Sequence, residues 1–106
     1  MLPTIVLYIG RDRDVTLVGP GSTSFDANDY ASTRLVCAAL GISKSSLVTA
    51  ELETAAAGAN LLIHFLAADT SSKTRGIYEY RVESLTAGGK TFDDGDLGAI
   101  HLLSAS

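Results

Sequence analysis

A chain of 106 residues has room for one domain with a single core, and its 46% hydrophobic and 19% charged residues exclude a disordered protein. Its net charge of -4 and its scattered basic residues argue against nucleic-acid binding, because contacts with phosphates need clustered Lys and Arg. No run approaches the roughly 18 apolar residues that a transmembrane helix needs. We therefore predict one domain over residues 1–106, with neither a nucleic-acid nor a membrane partner.

The first third of the chain predicts two strands and a long loop. Residues 4–9 form an apolar run rich in β-branched side chains, which favour a strand. After a polar turn, residues 14–18 alternate again, so the two segments are predicted to form a hairpin. The composition of residues 19–29, with Gly, Pro, Ser, Asp and Asn, indicates a loop.

The next apolar run, residues 33–40, predicts a strand that ends at Gly41. It contains Cys37, and a single cysteine excludes an intrachain disulfide. We expect Cys37 to be a buried structural residue, because free cysteines are among the most buried side chains. A nucleophilic role would need a basic neighbour to stabilise the thiolate, and the sequence shows none nearby.

Residues 43–57 are ambiguous between a helix and a strand. Leu47, Ala50, Glu51 and Thr54 fall at helical spacing, and the alanines that follow favour a helix. The alternation of apolar and polar residues over 48–53 fits a strand equally well. Periodicity alone leaves both alternatives open.

Residues 61–67 form a strongly apolar run that predicts a strand. Ile63 and Phe65 share one face and are expected in the core, whereas His64 alternates with them and is expected to face outward or into an interface. Near residues 68–73, the polar sequence after Ala68 predicts one helical turn, with Asp69 as its cap.

Residues 77–85 give the clearest strand signal in the chain. Tyr78, Tyr80 and Val82 are predicted to face the core, and the charged residues between them are predicted to face the solvent. Gly88 and Gly89 then indicate a tight hairpin turn, because glycine adopts positive φ without strain.

Return strands are predicted from residue 91 and over residues 97–103. The chain then has about seven short strands, with turn signals about every eight to twelve residues. This spacing is typical of an all-β sandwich or barrel.

Two motifs resemble known sites. Residues 88–91, Gly-Gly-Lys-Thr, match the end of a phosphate-binding loop, but the required earlier glycine is Ser84, so a hairpin is preferred. Asp93, Asp94 and Asp96 are weak candidates for calcium ligands; they lack the downstream Glu of an EF-hand, which favours a solvated turn.

The histidines, His64 and His101, have no second ligand at metal-binding spacing. No combination of nucleophile, base and orienting group is visible either. We therefore expect a protein that is not an enzyme and that has no cofactor.

Several segments occur in the order found in a known protein family. They are the opening residues 5–17, the Ala-Ala-Ala-Gly of residues 55–58, the run at 61–66, residues 67–70, the Gly-Ile-Tyr-Glu-Tyr-Arg-Val-Glu of residues 76–83, and the Gly-Gly-Lys of residues 88–90. This order resembles small immunoglobulin-like structural proteins of tailed bacteriophages, which include the N-terminal domains of upper baseplate proteins and capsid decoration proteins. The resemblance implies an immunoglobulin-like antiparallel β-sandwich, and it favours the strand over residues 48–53.

The resemblance also implies a function and a location. The favoured expectation is a capsid decoration or cement protein in the virion, assembled in the host cytoplasm, that binds the major capsid protein or other virion proteins. Such a protein is expected to be a homo-oligomer, for example a trimer. A tail, neck or baseplate component is the alternative, and a carbohydrate- or calcium-binding host-attachment module is an alternative of another class.

Overall fold

A computed structural model describes residues 2–18, 31–54, 60–86, 88, 91–92 and 97–104. Within these ranges the chain forms nine strands, one short helix and a 3₁₀ turn at Ala38–Leu40. The strands are β1 (Ile5–Tyr8), β2 (Arg13–Val18), β3 (Ser32–Cys37), β4 (Ile42–Ser45), β5 (Leu52–Thr54), β6 (Asn60–Phe65), β7 (Gly76–Leu85), β8 (Thr91–Phe92) and β9 (Gly98–Leu103), and the helix is α1 (Ala67–Thr70).

The strands form two sheets. In the first sheet the order is β1-β9-β7-β3-β4, with β8 paired to β7, and in the second it is β2-β6-β5. Sequential strands are thus divided between two layers in the way seen in immunoglobulin domains. All pairs are antiparallel except β1 with β9, which is parallel. The predicted all-β sandwich is confirmed, with more strands than the seven expected.

The core lies between the sheets and is built from the inward side chains of both. Its largest fully buried members are Ile5, Leu7, Leu17, Leu35, Leu52, Leu61, Ile63, Phe65, Tyr80, Ile100 and Leu102. Alternation puts these residues on one face of each strand, because successive side chains of a strand point to opposite faces. Branched aliphatic side chains dominate, as a chain without Trp requires.

The predicted hairpin of the first two strands is wrong. β1 pairs with β9 in the first sheet, whereas β2 pairs with β6 in the second. Gly10 adopts a φ of 73°, and its N–H donates to Thr70 Oγ1 at 3.0 Å, so the chain turns from one layer to the other. The apolar rows of β1 and β2 therefore face each other across the core, where a hairpin would have put them side by side.

The described part of the ambiguous segment, residues 43–54, is neither a helix nor the single strand predicted over residues 48–53. Residues 46–51 form turns, closed by bonds such as Glu51 N–H to the Val48 carbonyl at 2.9 Å, and the residues on either side of them are extended, in β4 and β5. β4 was missed because Lys44 occupies an inward position of that strand. Its ammonium group is buried and lies 2.7 Å from Asp69 Oδ2, so a charged residue interrupts the expected apolar pattern.

The predicted helical turn is present and begins one residue early, as α1. Asp69 lies inside its first turn and does not precede it, and its Oδ2 accepts a hydrogen bond from the Leu66 N–H at 2.7 Å. An acidic side chain at this place satisfies a free N–H of the helix start. None of the helices in the described ranges is long and apolar enough to cross a membrane.

Candidate interaction surface

Large apolar side chains are exposed together on the outer surface of the first sheet. We call this surface, formed by Tyr8, Ile77, Glu79, His101 and Leu103, the assembly face. Ile77 is 70% exposed, Leu103 43% and Tyr8 39%. An apolar group of this kind on strands, instead of in a loop, is typical of a protein-binding surface.

Strand register brings these residues together. Tyr8 of β1 lies beside Leu103 of β9, and Ile77 of β7 lies beside His101 of β9. Their sequence neighbours, such as Leu7 and Leu102, point into the core. The outward faces of β1 and β9 therefore carry the apolar side chains of Tyr8 and Leu103 beside His101, although the burial of the opposite face alone requires no apolar residue there.

A shallow cavity of about 340 Å³ lies beside Ile77. Arg75, His101 and Leu103 also line it, so an arginine side chain borders the apolar group. The cavity combines an apolar wall with one charged group and one imidazole, which suits a protruding side chain of a partner protein.

The same sheet carries a charged cluster next to the assembly face. Glu83 is buried, and its carboxylate accepts hydrogen bonds from Arg34 Nε at 2.7 Å and from Arg81 Nε at 2.6 Å. Burial disfavours the charged carboxylate, but the bonds from Arg81 and Arg34 outweigh it and lower the pKa of Glu83. The sequence predicted that Glu79, Arg81 and Glu83 face the solvent, and the burial of Glu83 corrects that prediction for this residue.

The outer surface of the second sheet carries a different arrangement, centred on His64. Nδ1 of His64 lies 2.8 Å from Asp14 Oδ1, and Nε2 lies 2.6 Å from Glu53 Oε2. The hydrogen bonds to Asp14 and then to Glu53 raise the pKa of His64 above its ordinary value of 6.5. His64 thus ties β2, β6 and β5 together, next to an open cavity of about 490 Å³ that Asp12 also lines.

This histidine cluster does not have the geometry of a metal site. Both ring nitrogens of His64 already face carboxylate oxygens, on opposite sides of the ring. Among the described residues, no group of three or more His, Cys, Asp and Glu side chains is arranged to hold a metal ion.

Most residues that the sequence marked as structural lie in the core. The buried ones are Ile63, Phe65, Tyr80, Val82 and Cys37. Tyr78 is partly buried against the core, and its hydroxyl donates to the Thr74 carbonyl at 2.5 Å. A tyrosine that begins this strand and bonds the backbone a few residues upstream is a feature of immunoglobulin-type sandwiches.

Other marked residues fall at the hairpin and the acidic turn. Gly88 is exposed. Gly89 and the candidate calcium ligands Asp93, Asp94 and Asp96 lie outside the described residues, so the predictions for them stay predictions.

No family model and no curated protein matches this chain. The resemblance to bacteriophage structural proteins therefore stays a prediction.

Sequence reasoning missed the assembly face. The available signal was Ile77, which stands at an outward position of a strand whose other outward residues are Glu79, Arg81 and Glu83. An isoleucine in a row of charges indicates a contact outside the domain core.

Proposed function

We propose that this chain is a non-enzymatic structural protein of a tailed bacteriophage particle, most simply a capsid decoration protein that stabilises the head by binding major capsid subunits. The observation that carries the proposal is the exposed apolar group of Tyr8, Ile77 and Leu103 on the assembly face. An exposed group of this kind lowers the free energy of a protein when a partner covers it.

The fold supports the same proposal. An immunoglobulin-type sandwich is the architecture that the sequence resemblance implies for such proteins. Its strands provide a rigid surface, which limits the entropy lost on docking compared with a loop-based site. Repeated weak contacts on a symmetric particle then add to a stable attachment.

Quantitative mass spectrometry of purified particles tests the role. The particles come from a phage whose genome encodes the chain, and the copy number is measured relative to the major capsid protein. A decoration protein is expected at on the order of hundreds of copies per particle. About six or twelve copies would instead support the alternative of a tail, neck or baseplate component, and complete absence from the particles would contradict both roles.

Substitutions test whether the assembly face is needed for incorporation into particles. Ile77→Lys is expected to reduce incorporation into particles, because it places a charge where apolar contact is proposed. Leu47→Lys is the matched control, since Leu47 is 75% exposed and lies in the turn that follows β4, at the opposite edge of the first sheet from β1. Equal incorporation of the two variants would contradict a role for the assembly face.

A further inference from the structure

We propose that the assembly face binds a second copy of this chain, in a two-fold dimer whose axis passes close to Ile77 and runs across β7. The proposal rests on the proposed function and names the partner that covers this face: the chain would join the particle as a dimer, and Ile77→Lys would reduce incorporation by preventing dimer formation. It also replaces the trimer expected from the sequence with two-fold symmetry.

The order of exposed side chains at the start of β7 favours a second copy as the partner. Arg75, Ile77 and Glu79 follow one another at every second position, and all three are exposed. Arg75 and Ile77 line the same cavity, which places both on the assembly face. Glu79 continues the row, because residues two apart in a strand share a face and lie about 6.7 Å apart.

This row is complementary to itself. When two copies pack face to face with their β7 strands antiparallel, a two-fold axis near Ile77 puts Arg75 of each copy opposite Glu79 of the other. A two-fold interface uses the same surface patch on both copies, so one such contact forms twice. With the strands parallel, Arg75 would face Arg75, and like charges would oppose association.

The shape of the assembly face also fits a second copy. Ile77 protrudes next to the cavity of about 340 Å³ that His101 and Leu103 help to line. In the antiparallel arrangement each copy offers a protruding apolar side chain and an adjacent depression. The Ile77 side chain of one copy can then pack against the apolar wall of the cavity in the other copy.

The apolar group extends beyond Ile77 across the sheet. From Ile77, the face continues through Leu103 to Tyr8 on β1, at the edge of the sheet. On the other side it meets the cluster of Arg34, Arg81 and Glu83, whose charges bond each other. The face therefore has an apolar part that reaches the β1 edge and a polar border toward β3, and a partner that covers both parts meets apolar and polar contacts, as in most protein interfaces.

Charge exchange tests the dimer. Sedimentation velocity over a range of concentrations gives the mass and the dissociation constant of the chain. We expect a dimer whose dissociation constant rises at least about tenfold in Arg75→Glu and in Glu79→Arg, each of which creates like-charge contacts. The double variant R75E/E79R is expected to restore the dimer, because the exchanged charges still face each other across the axis.

Two further variants separate the apolar contact from general effects. Ile77→Lys is expected to give a monomer, whereas Leu47→Lys, equally exposed but in a turn, is expected to leave the dimer intact. Circular dichroism checks that each variant is folded. A monomeric wild-type chain, a trimer, a dimer that Ile77→Lys leaves unchanged, or failure of the double variant to restore association would each overturn the proposal.

The copy number in particles and the mass of the free chain, taken together, show whether the dimer or the structural role has failed. Hundreds of copies in particles together with a monomeric free chain would reject the dimer and support the structural role. A charge-dependent dimer in solution with no copies in particles would support the dimer and reject the role.

Discussion

Gly98 lies directly opposite Tyr80 in the pairing of β7 with β9, and the aromatic ring packs over the glycine backbone. A side chain at position 98 would overlap with ring atoms of Tyr80. The Tyr80 hydroxyl donates to the Pro3 carbonyl, and burial raises the pKa of Tyr80 to about 12, so the donor stays protonated. Glycine at position 98 thus lets one buried tyrosine join the N-terminal segment to the core.

Gly98→Ala is expected to lower the free energy of unfolding by about 1–3 kcal/mol, because the added methyl group overfills a packed site. Urea denaturation measures the change. Gly88→Ala is the control: among the described residues its methyl group would meet only Thr86 Oγ1, at 3.9 Å, and we expect little effect. The loss of unfolding free energy caused by Gly98→Ala should be smaller in a Tyr80→Leu background. An equal loss there would show that the added methyl group does not conflict with the Tyr80 ring.

The stability of the second sheet is expected to depend on the protonation of His64. Its raised pKa means that the charged ring is bound more tightly in the folded chain. The contribution is complete below the ordinary pKa of 6.5 and is lost as the pH rises through the higher native pKa. A neutral imidazole has one N–H, so it cannot donate to both Asp14 and Glu53.

NMR titration of the histidine ring protons measures this pKa directly. Glu53→Gln and Asp14→Asn are each expected to lower it, because each removes a carboxylate that favours the charged ring. In denaturation experiments, His64→Gln should reduce the loss of stability between pH 6 and 9, whereas His101→Gln should preserve it. An unchanged pH dependence in His64→Gln would reject the role of this cluster.

Removal of Arg34 is expected to destabilise the folded chain, because Glu83 would stay buried with one charged partner fewer. Arg34→Ala should lower the free energy of unfolding at neutral pH by about 1–2 kcal/mol, because a buried carboxylate loses a charged hydrogen-bond donor. The pKa of Glu83 is lowered in the folded chain, so its stabilising contribution is present above the ordinary value of 4.5 and is lost as the pH falls through the native value.

The effect of Arg34→Ala should therefore be smaller at pH 3 than at pH 7, as measured by urea denaturation. Arg11→Ala, at an exposed turn position, is the control and should change stability little at either pH. If the loss of unfolding free energy in Arg34→Ala does not vary with pH, the loss comes from side-chain packing and not from the ion pair with Glu83.

Cys37 is expected to be unreactive in the folded chain. The side chain is fully buried, and burial raises the pKa of its thiol against the opposing backbone hydrogen bonds at Leu40 and Ala39. Reaction with Ellman's reagent should be at least about 5,000-fold slower than that of an unfolded thiol, because opening the core costs about 5 kcal/mol or more. One thiol should react rapidly in guanidinium, and rapid reaction under native conditions would contradict the burial.

Alternation in the sequence was enough to predict the strands with one polar and one apolar face. The inward residues of β6 and β7 follow this rule: Ile63, Phe65, Tyr80 and Val82 could be assigned to the core from spacing alone, and all four are buried. Prediction failed where a residue's partner is far away in sequence. Lys44 is buried because Asp69 lies 25 positions later in the chain, and no local pattern shows that contact.

The sequence by itself determined that this protein is a small all-β domain, either a sandwich or a barrel, because periodicity, turn residues and side-chain volume are local properties. Only the tertiary structure decided that β1 and β2 lie in different sheets, since strand pairing depends on which apolar rows meet across the core. It alone also revealed the assembly face. Tyr8, Ile77 and Leu103 come from three distant segments, and they form one surface only because β9 pairs with both β1 and β7.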